Sequence, residues 1–392
     1  MPQTPYKIHN SERRQSDLWR RLRSVGPSQQ GSTLVDGRSV LNFSSNDYMG
    51  LSTHPALKER ARAWTESWGT GSTASRLVCG NLALFDQVEQ RLIQHKGYEA
   101  ALLFNSGFQA NSGILTALLD RVVLKNPPQI FSDRLNHASI HQGCRGAGVR
   151  QIRYRHNDLN HLEDLLKKAE PGPRFILSET VFSMDGDRAD VAGLLSLKAR
   201  YGAFLYLDEA HAAGVLGPQG FGLATAFSDQ ADLVMGTFSK GLGGFGAYVI
   251  GSQELKDFLI NHCAGFIFST ALPPAVLGAM DAALELLPSL GATRQRLLAQ
   301  AERLRRALVV EGLDVGNSTT QIVPVILGDN RRCVAVSRAL EKRGLMAIAI
   351  RPPAVPVGKS RLRLSLTANH DEADLDRLID GVLESVAEVD GR

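Results

Sequence analysis

Lys240 stands in the run GTFSKGLGG (residues 236–244), directly after the apolar stretch 233–235. A lysine among glycines and hydroxyls at such a point can contact a phosphate, carry a solvated loop charge or form a Schiff base with an aldehyde. The order GxxxxGK[ST] is absent, which argues against a P-loop. A second run, FLYLDEAH (204–211), is an apolar stretch ending in Asp208, with His211 three residues later. A carboxylate at the carboxyl end of a parallel strand faces the crevice where open α/β sheets bind ligands. There Asp208 can pair with a protonated pyridine nitrogen and make a cofactor ring an electron sink, and His211 can donate to the ring's phenolic oxygen. The plainer alternatives are a helix-capping Asp and a structural histidine.

Three further runs carry suitable groups. NSGFQAN (105–111) follows the apolar stretch 100–104, and a helix starting at Gly107 and Phe108 would offer backbone N–H groups to a phosphate dianion. His137, in DRLNHAS (133–139), is a candidate aromatic lid over a flat cofactor. Ser183, in SETVFSMDGD (178–187), and Thr237 add hydroxyls near the same strand ends.

The elements that must position these groups are legible as short apolar runs at 100–104, 129–131, 175–177, 204–207, 233–235 and 247–250, with helical patterns between them. Runs without polar alternation suit strands covered on both faces, so the fold class is α/β with a largely parallel sheet. The pattern predicts a helix around residues 13–23, extended pieces at 33–35 and 39–43, a helix over 294–310, strands at 322–327, 347–350 and 361–366, and a closing helix after His370. The domains read as an N-terminal arm or small lobe (1–45), a large domain (46–287) and a small C-terminal α+β domain (288–392).

With 392 residues, 43% of them hydrophobic and 21% charged, the chain has material for one large core or several smaller ones. Its 44 Lys and Arg against 40 Asp and Glu give a net charge of only +4, so neither nucleic acid nor an anionic membrane is implied as a partner. Cys79, Cys144, Cys263 and Cys333 form no CxxC pair, which disfavours a disulfide framework and a zinc site; no metal is expected. Residues 1–30 lack the apolar run of a signal peptide, and residues 271–290 are interrupted by Asp281 and Glu285, so the expectation is a soluble, cytoplasmic protein. No GxGxxG follows the first strand run, which opposes a Rossmann dehydrogenase.

Taken in order, SSNDYMGL (44–51), NSGFQAN, DRLNHAS, SETVFSMDGD, LDEAHAAGVLG (207–217), GTFSKG and IRPPAVPVGKSRLRLSLTANH (350–370) resemble the α-oxoamine synthases. These are pyridoxal 5′-phosphate enzymes of the aspartate-aminotransferase fold (fold type I) that join an amino acid to an acyl thioester with loss of CO₂. The resemblance runs from about Arg13 to the end. It implies Lys240 as the Schiff-base lysine, Asp208 as the pyridinium partner, His211 beside the ring hydroxyl and His137 stacked on the ring. Gly107, Phe108, Ser183 and Thr237 would seat the cofactor, and Ser269 and Thr270, in FSTALPP, would reach the phosphate across a homodimer interface. Arg363 would hold the amino acid's carboxylate, with Arg20, Asn46, His137 and Ala354 as further substrate positions.

The IRPPxVP segment implies L-alanine and a pimeloyl thioester, on CoA or an acyl-carrier protein, as substrates. Glycine with an acetyl, succinyl or longer acyl thioester is the alternative within the family, and a non-catalytic cofactor-binding regulator is the alternative outside it. Two positions depart from the family pattern. Ala354 stands where a substrate-contacting threonine can occur, and Phe85 replaces a common histidine.

Overall fold

The computed structural model describes residues 4–29 and 31–391. Two compact units emerge: Asp47–Ser183 with Arg188–Arg294, and the described residues up to Asn46 with Met184–Asp187 and those from Gln295 onward.

The larger unit is built on a seven-stranded sheet: β1 (Ala100–Phe104), β2 (Gln129–Asp133), β3 (Gln151–Tyr154), β4 (Arg174–Glu179), β5 (Phe204–Asp208), β6 (Leu233–Thr237) and β7 (Ala247–Gly251). Their order is β1-β7-β6-β5-β4-β2-β3. Strands β3, β2, β4, β5 and β6 run parallel, and β7 is antiparallel to both β6 and β1. The apolar runs mark six of the seven strands, but apolarity alone does not give direction. The return from Thr237 to Ala247 contains no crossover helix, so β7 can only run back beside β6. Strand β3 lies at the sheet edge and is only partly buried, which is why QIRY carries no apolar run.

Helices α1 (Gly107–Leu118) and α2 (Ala138–Gly146) follow β1 and β2. Ile114 and Leu115 of α1 join Ile140 and Cys144 of α2 in one buried cluster with Leu102, Tyr206, Met235 and Val249 of the sheet. Each such fully buried aliphatic side chain contributes about 1.5–3 kcal/mol of transfer free energy, which fixes the helix starts against the strand ends.

Pro274–Val310 is long and apolar enough to cross a membrane by length and composition. Its first part, Pro274–Leu286, is instead a core helix: Leu277, Met280 and Leu284 are buried, and the buried Asp281 carboxylate pairs with Arg60 and Arg91. A lipid environment would offer that carboxylate neither partner.

In the smaller unit, Val25–Gln29, Ser32–Val35, Arg38–Asn42 and Leu345–Met346 form one sheet, and Ile322–Gly328, Ser360–Ser365 and Ala349–Ile350 form another. Of the strand expected at 347–350 only Ala349–Ile350 forms, paired with residues 361–362, while Leu345–Met346, just before it, pairs with residues 41–42 in the other sheet. The N-terminal helix is Pro5–Gln15, upstream of the expected 13–23. Thr4 caps it, Pro5 opens it, and Asp17 at φ 55° ends it before Trp19. The closing helix, Glu372–Asp390, starts from a capping box of Asp371 and Asp374.

Candidate active site

The loops after β1, β2, β5 and β6 and the carboxyl end of β4 converge on one cavity of about 220 Å³. Asp208 ends β5 and is 3% exposed. Its Oδ1 accepts from the Ala210 backbone N–H at 2.8 Å and its Oδ2 from Asn111 Nδ2 at 2.7 Å. The Tyr206 hydroxyl meets Asn111 Oδ1 at 2.6 Å, which orients the amide with its NH₂ toward Asp208. The two donors fix both oxygens of the carboxylate.

Lys240 lies in the loop after β6. Its Nζ is 2.8 Å from His211 Nε2, and His211 Nδ1 is 2.7 Å from the hydroxyl of the buried Tyr48. Two glycines permit this approach. Gly214 has φ 94°, and a Cβ there would lie 2.6 Å from the Gly241 carbonyl carbon, while a Cβ on Gly241 would lie 2.5 Å from the Ala213 oxygen. Backbone therefore packs on backbone, and the loop carrying His211 closes directly onto the loop carrying Lys240.

His137 caps α2, its Nδ1 accepting from the Ser139 backbone N–H at 3.3 Å and lying 2.7 Å from the Ser139 hydroxyl. Asn111 Nδ2 also reaches Ser139 Oγ at 2.9 Å, so one amide ties His137 to Asp208. With Nδ1 accepting, the neutral ring carries its proton on Nε2. Burial pushes the His137 pKa below its usual value, Asp208 opposes that and Lys240 adds to it.

At the start of α1, Ser106 caps the helix through Gln109 N–H, and Gly107 and Phe108 open it. Ser106, Thr237 and Ser239 line the same end of the cavity, with Thr237 Oγ1 2.7 Å from Ser239 Oγ. Helix N–H groups with three hydroxyls suit a phosphate dianion. An amine at Lys240, a fixed carboxylate at Asp208 and this anion cradle together fit an aldehyde-bearing pyridine phosphate.

The structure thus brings Lys240, Asp208, His211, His137, Gly107, Phe108 and Thr237 around one cavity. Ser183, Ser269 and Thr270 lie outside its described lining. Ser183 is buried beyond β4, Ser269 accepts from Gln109 Nε2, and the Thr270 carbonyl accepts from Asn105 Nδ2. In the smaller unit, Arg363 is 6% exposed and its Nη1 donates to Asn46 Oδ1 at 3.0 Å and Ser365 Oγ at 2.7 Å. Arg20 reaches the Pro352 carbonyl at 3.4 Å, beside the turn that carries the exposed Ala354. Phe85 is a core residue with the Arg76 guanidinium 4.2 Å above its ring.

The reading from residue types omitted Tyr48, Ser106, Asn111, Ser139, Ser239 and Glu179. Glu179 ends β4 as Asp208 ends β5, and the two are register partners. An apolar run closed by a carboxylate was therefore the signal available for both.

Residues 38–382 match the family model for aminotransferase class I and II. An 8-amino-7-oxononanoate synthase from Gluconacetobacter diazotrophicus is 57% identical over 357 residues, covering 90% of this chain and 89% of its own. A serine palmitoyltransferase from S. paucimobilis, solved with a PLP-myriocin aldimine, superposes with a TM-score of 0.89 at 28% identity over 94% of both chains. The 8-amino-7-oxononanoate synthase of Francisella tularensis superposes at 0.77 with 25% identity, over 89% of this chain and 98% of that one. Family, fold and cavity agree on pyridoxal 5′-phosphate as the cofactor. The chain belongs to the class I and II aminotransferase family and, within it, to the 8-amino-7-oxononanoate synthases, pyridoxal-phosphate-dependent acyltransferases of the α-oxoamine synthase group.

Proposed function

We propose that the chain joins L-alanine to a pimeloyl thioester, releasing CO₂ and free thiol and giving 8-amino-7-oxononanoate for biotin biosynthesis in the cytoplasm. The observation that carries this reading is the Lys240 amine in one cavity with the doubly anchored Asp208 carboxylate, in a chain 57% identical to a synthase of that name. When bound, pyridoxal phosphate supplies an aldehyde carbon for the amino group and a ring that takes up negative charge from the amino acid's Cα.

Asp208 would hold a proton at the ring nitrogen, with Asn111 and the Ala210 N–H aiming that carboxylate. His211, backed by Tyr48, serves the ring's phenolic oxygen. The α1 N-terminus, Ser106, Thr237 and Ser239 take the phosphate, with Ser183 as a further seat for the cofactor. His137, in the cavity lining, would stack on the ring. Lys240 would hold the cofactor's aldehyde carbon at rest, and its amine, when free, would be the base within reach of the alanine Cα–H. The Cα then bonds to the acyl carbonyl carbon, the thiol leaves, the carboxylate departs as CO₂, and Cα is protonated again.

Arg363, its Nη1 steadied by Asn46 and Ser365, is the proposed partner of the substrate carboxylate. Arg20 and Ala354 are the proposed acyl-chain positions. Ser269 and Thr270, outside the lining of their own chain's cavity, fit a role toward the phosphate of a second subunit in a homodimer. Incubating the cofactor-loaded protein with L-alanine and pimeloyl-CoA, and separately with a pimeloyl carrier protein, tests the reading. Stoichiometric 8-amino-7-oxononanoate and CO₂ support it, and their absence with both donors overturns it.

A further inference from the structure

Glu179 is the one carboxyl lining the cavity, among the described residues, that the mechanism leaves unused. It is 2% exposed, and its Oε1 has no hydrogen-bond partner. It sits beside Asp208 as register partner on the adjacent parallel strand, so both side chains leave the sheet on the same face. The two environments differ. Asp208 receives two donors, whereas Glu179 Oε1 is buried without a hydrogen-bond partner, in a residue that lines the cavity with His137, Asp208 and Lys240. Nearby Asp133 is already satisfied by Leu135 N–H, Asn157 N–H and His156 Nδ1.

Two adjacent buried carboxyls cannot both ionise cheaply, and the one with donors takes the charge. We propose that Glu179 holds a proton, so that the Glu179/Asp208 pair enters the cofactor site with a single negative charge and offers the Glu179 O–H to an acceptor oxygen of the bound cofactor. Burial, and then the charge of Asp208, push the Glu179 carboxyl well above the usual carboxylate range, against the opposing pull of Lys240 and the His137 backbone N–H. The arrangement leaves Asp208 as the undivided anion opposite the pyridine nitrogen. A second ionised carboxyl would instead add repulsion beside the cofactor's phenolic oxygen and phosphate.

The assignment rests on the pyridoxal-phosphate reading of the cavity and not on the acyl substrate, so its test needs no turnover. Infrared difference spectra of the cofactor-free protein against Glu179→Gln at pH 8 should show a carboxylic-acid C=O band that the variant lacks. Glu179→Gln keeps a neutral donor and should bind pyridoxal phosphate within about threefold of the parent. Glu179→Leu removes the donor and should bind about tenfold more weakly, the equivalent of one net hydrogen bond. If Glu179→Leu fails to fold, the infrared band and the Glu179→Gln affinity decide the matter. Absence of the acid band, or a Glu179→Gln affinity as poor as that of Glu179→Leu, overturns the proposal.

Discussion

Lys240 has no group in the described cavity lining that could replace it, because His137 and His211 are imidazoles committed to Ser139 and Tyr48. Lys240→Ala should therefore lose the absorbance of the lysine-bound cofactor and more than about a thousandfold of turnover, and normal turnover would remove Lys240 from the chemistry. Asp208→Asn preserves the shape of the site but cannot hold the proton at the ring nitrogen, so exchange of the alanine Cα proton with deuterated solvent should slow sharply. His137 should titrate below the ordinary imidazole value, since burial lowers its pKa; a carbon-13 NMR titration with a midpoint at or above 6.5 would contradict this. The residue types named Lys240, Asp208, His211 and His137 because each is rare at a strand end and chemically explicit. Asn111, Ser139 and Tyr48 were invisible for the opposite reason. Amides and hydroxyls occur everywhere, and only the fold shows that one Asn111 amide touches both Asp208 and Ser139.

At the scale of elements, the Gly214 and Gly241 contact is what closes the loops carrying His211 and Lys240 on each other. Gly241→Ala places a Cβ 2.5 Å from the Ala213 oxygen, so cofactor affinity should fall at least about tenfold while far-ultraviolet circular dichroism stays native. Behind the Asp208 loop, Lys96 and Glu209 form a buried pair with neither side chain exposed. Lys96→Met leaves Glu209 unpaired and should cost about 3–5 kcal/mol in urea unfolding; the double change with Glu209→Gln should cost less.

In the smaller unit, His370 stacks on Phe43 and accepts Thr367 N–H at Nδ1, and burial lowers its pKa to about 4. Its folded-state pKa is below the unfolded 6.5. The unfolded chain therefore binds the proton first, and His370 supplies stability that is complete above pH 6.5 and lost as pH falls toward 4, about 3 kcal/mol in all. Unfolding of His370→Gln should show a correspondingly shallower decline over that range, and parallel declines would refute the linkage. Strand positions were legible because burial on both faces forces apolar runs. The direction of β7, the edge strand β3 and the assignment of 345–346 and 349–350 to different sheets were not, since connection geometry and sheet partners are absent from a local pattern.

At the scale of the whole molecule, overall similarity ties the chain to the α-oxoamine synthases more firmly than any one motif, because 57% identity spans both compact units and the ordered motifs fall across them. That scale also holds the substrate question. The cavity's lysine, carboxylate and phosphate cradle would serve glycine as well as alanine and any acyl thioester, so the cofactor chemistry does not discriminate among members of the group. On the proposed assignment of Ala354 to the acyl chain, the lack of a hydroxyl there would remove at most one net hydrogen bond of about 0.5–1.5 kcal/mol, enough to change acyl selectivity but not the reaction. The most direct measurement is a competition assay read by mass spectrometry. L-alanine and glycine are offered together with pimeloyl, acetyl and succinyl thioesters to the cofactor-loaded protein. 8-Amino-7-oxononanoate should be the dominant aminoketone; dominance of a glycine-derived product would contradict the proposed function.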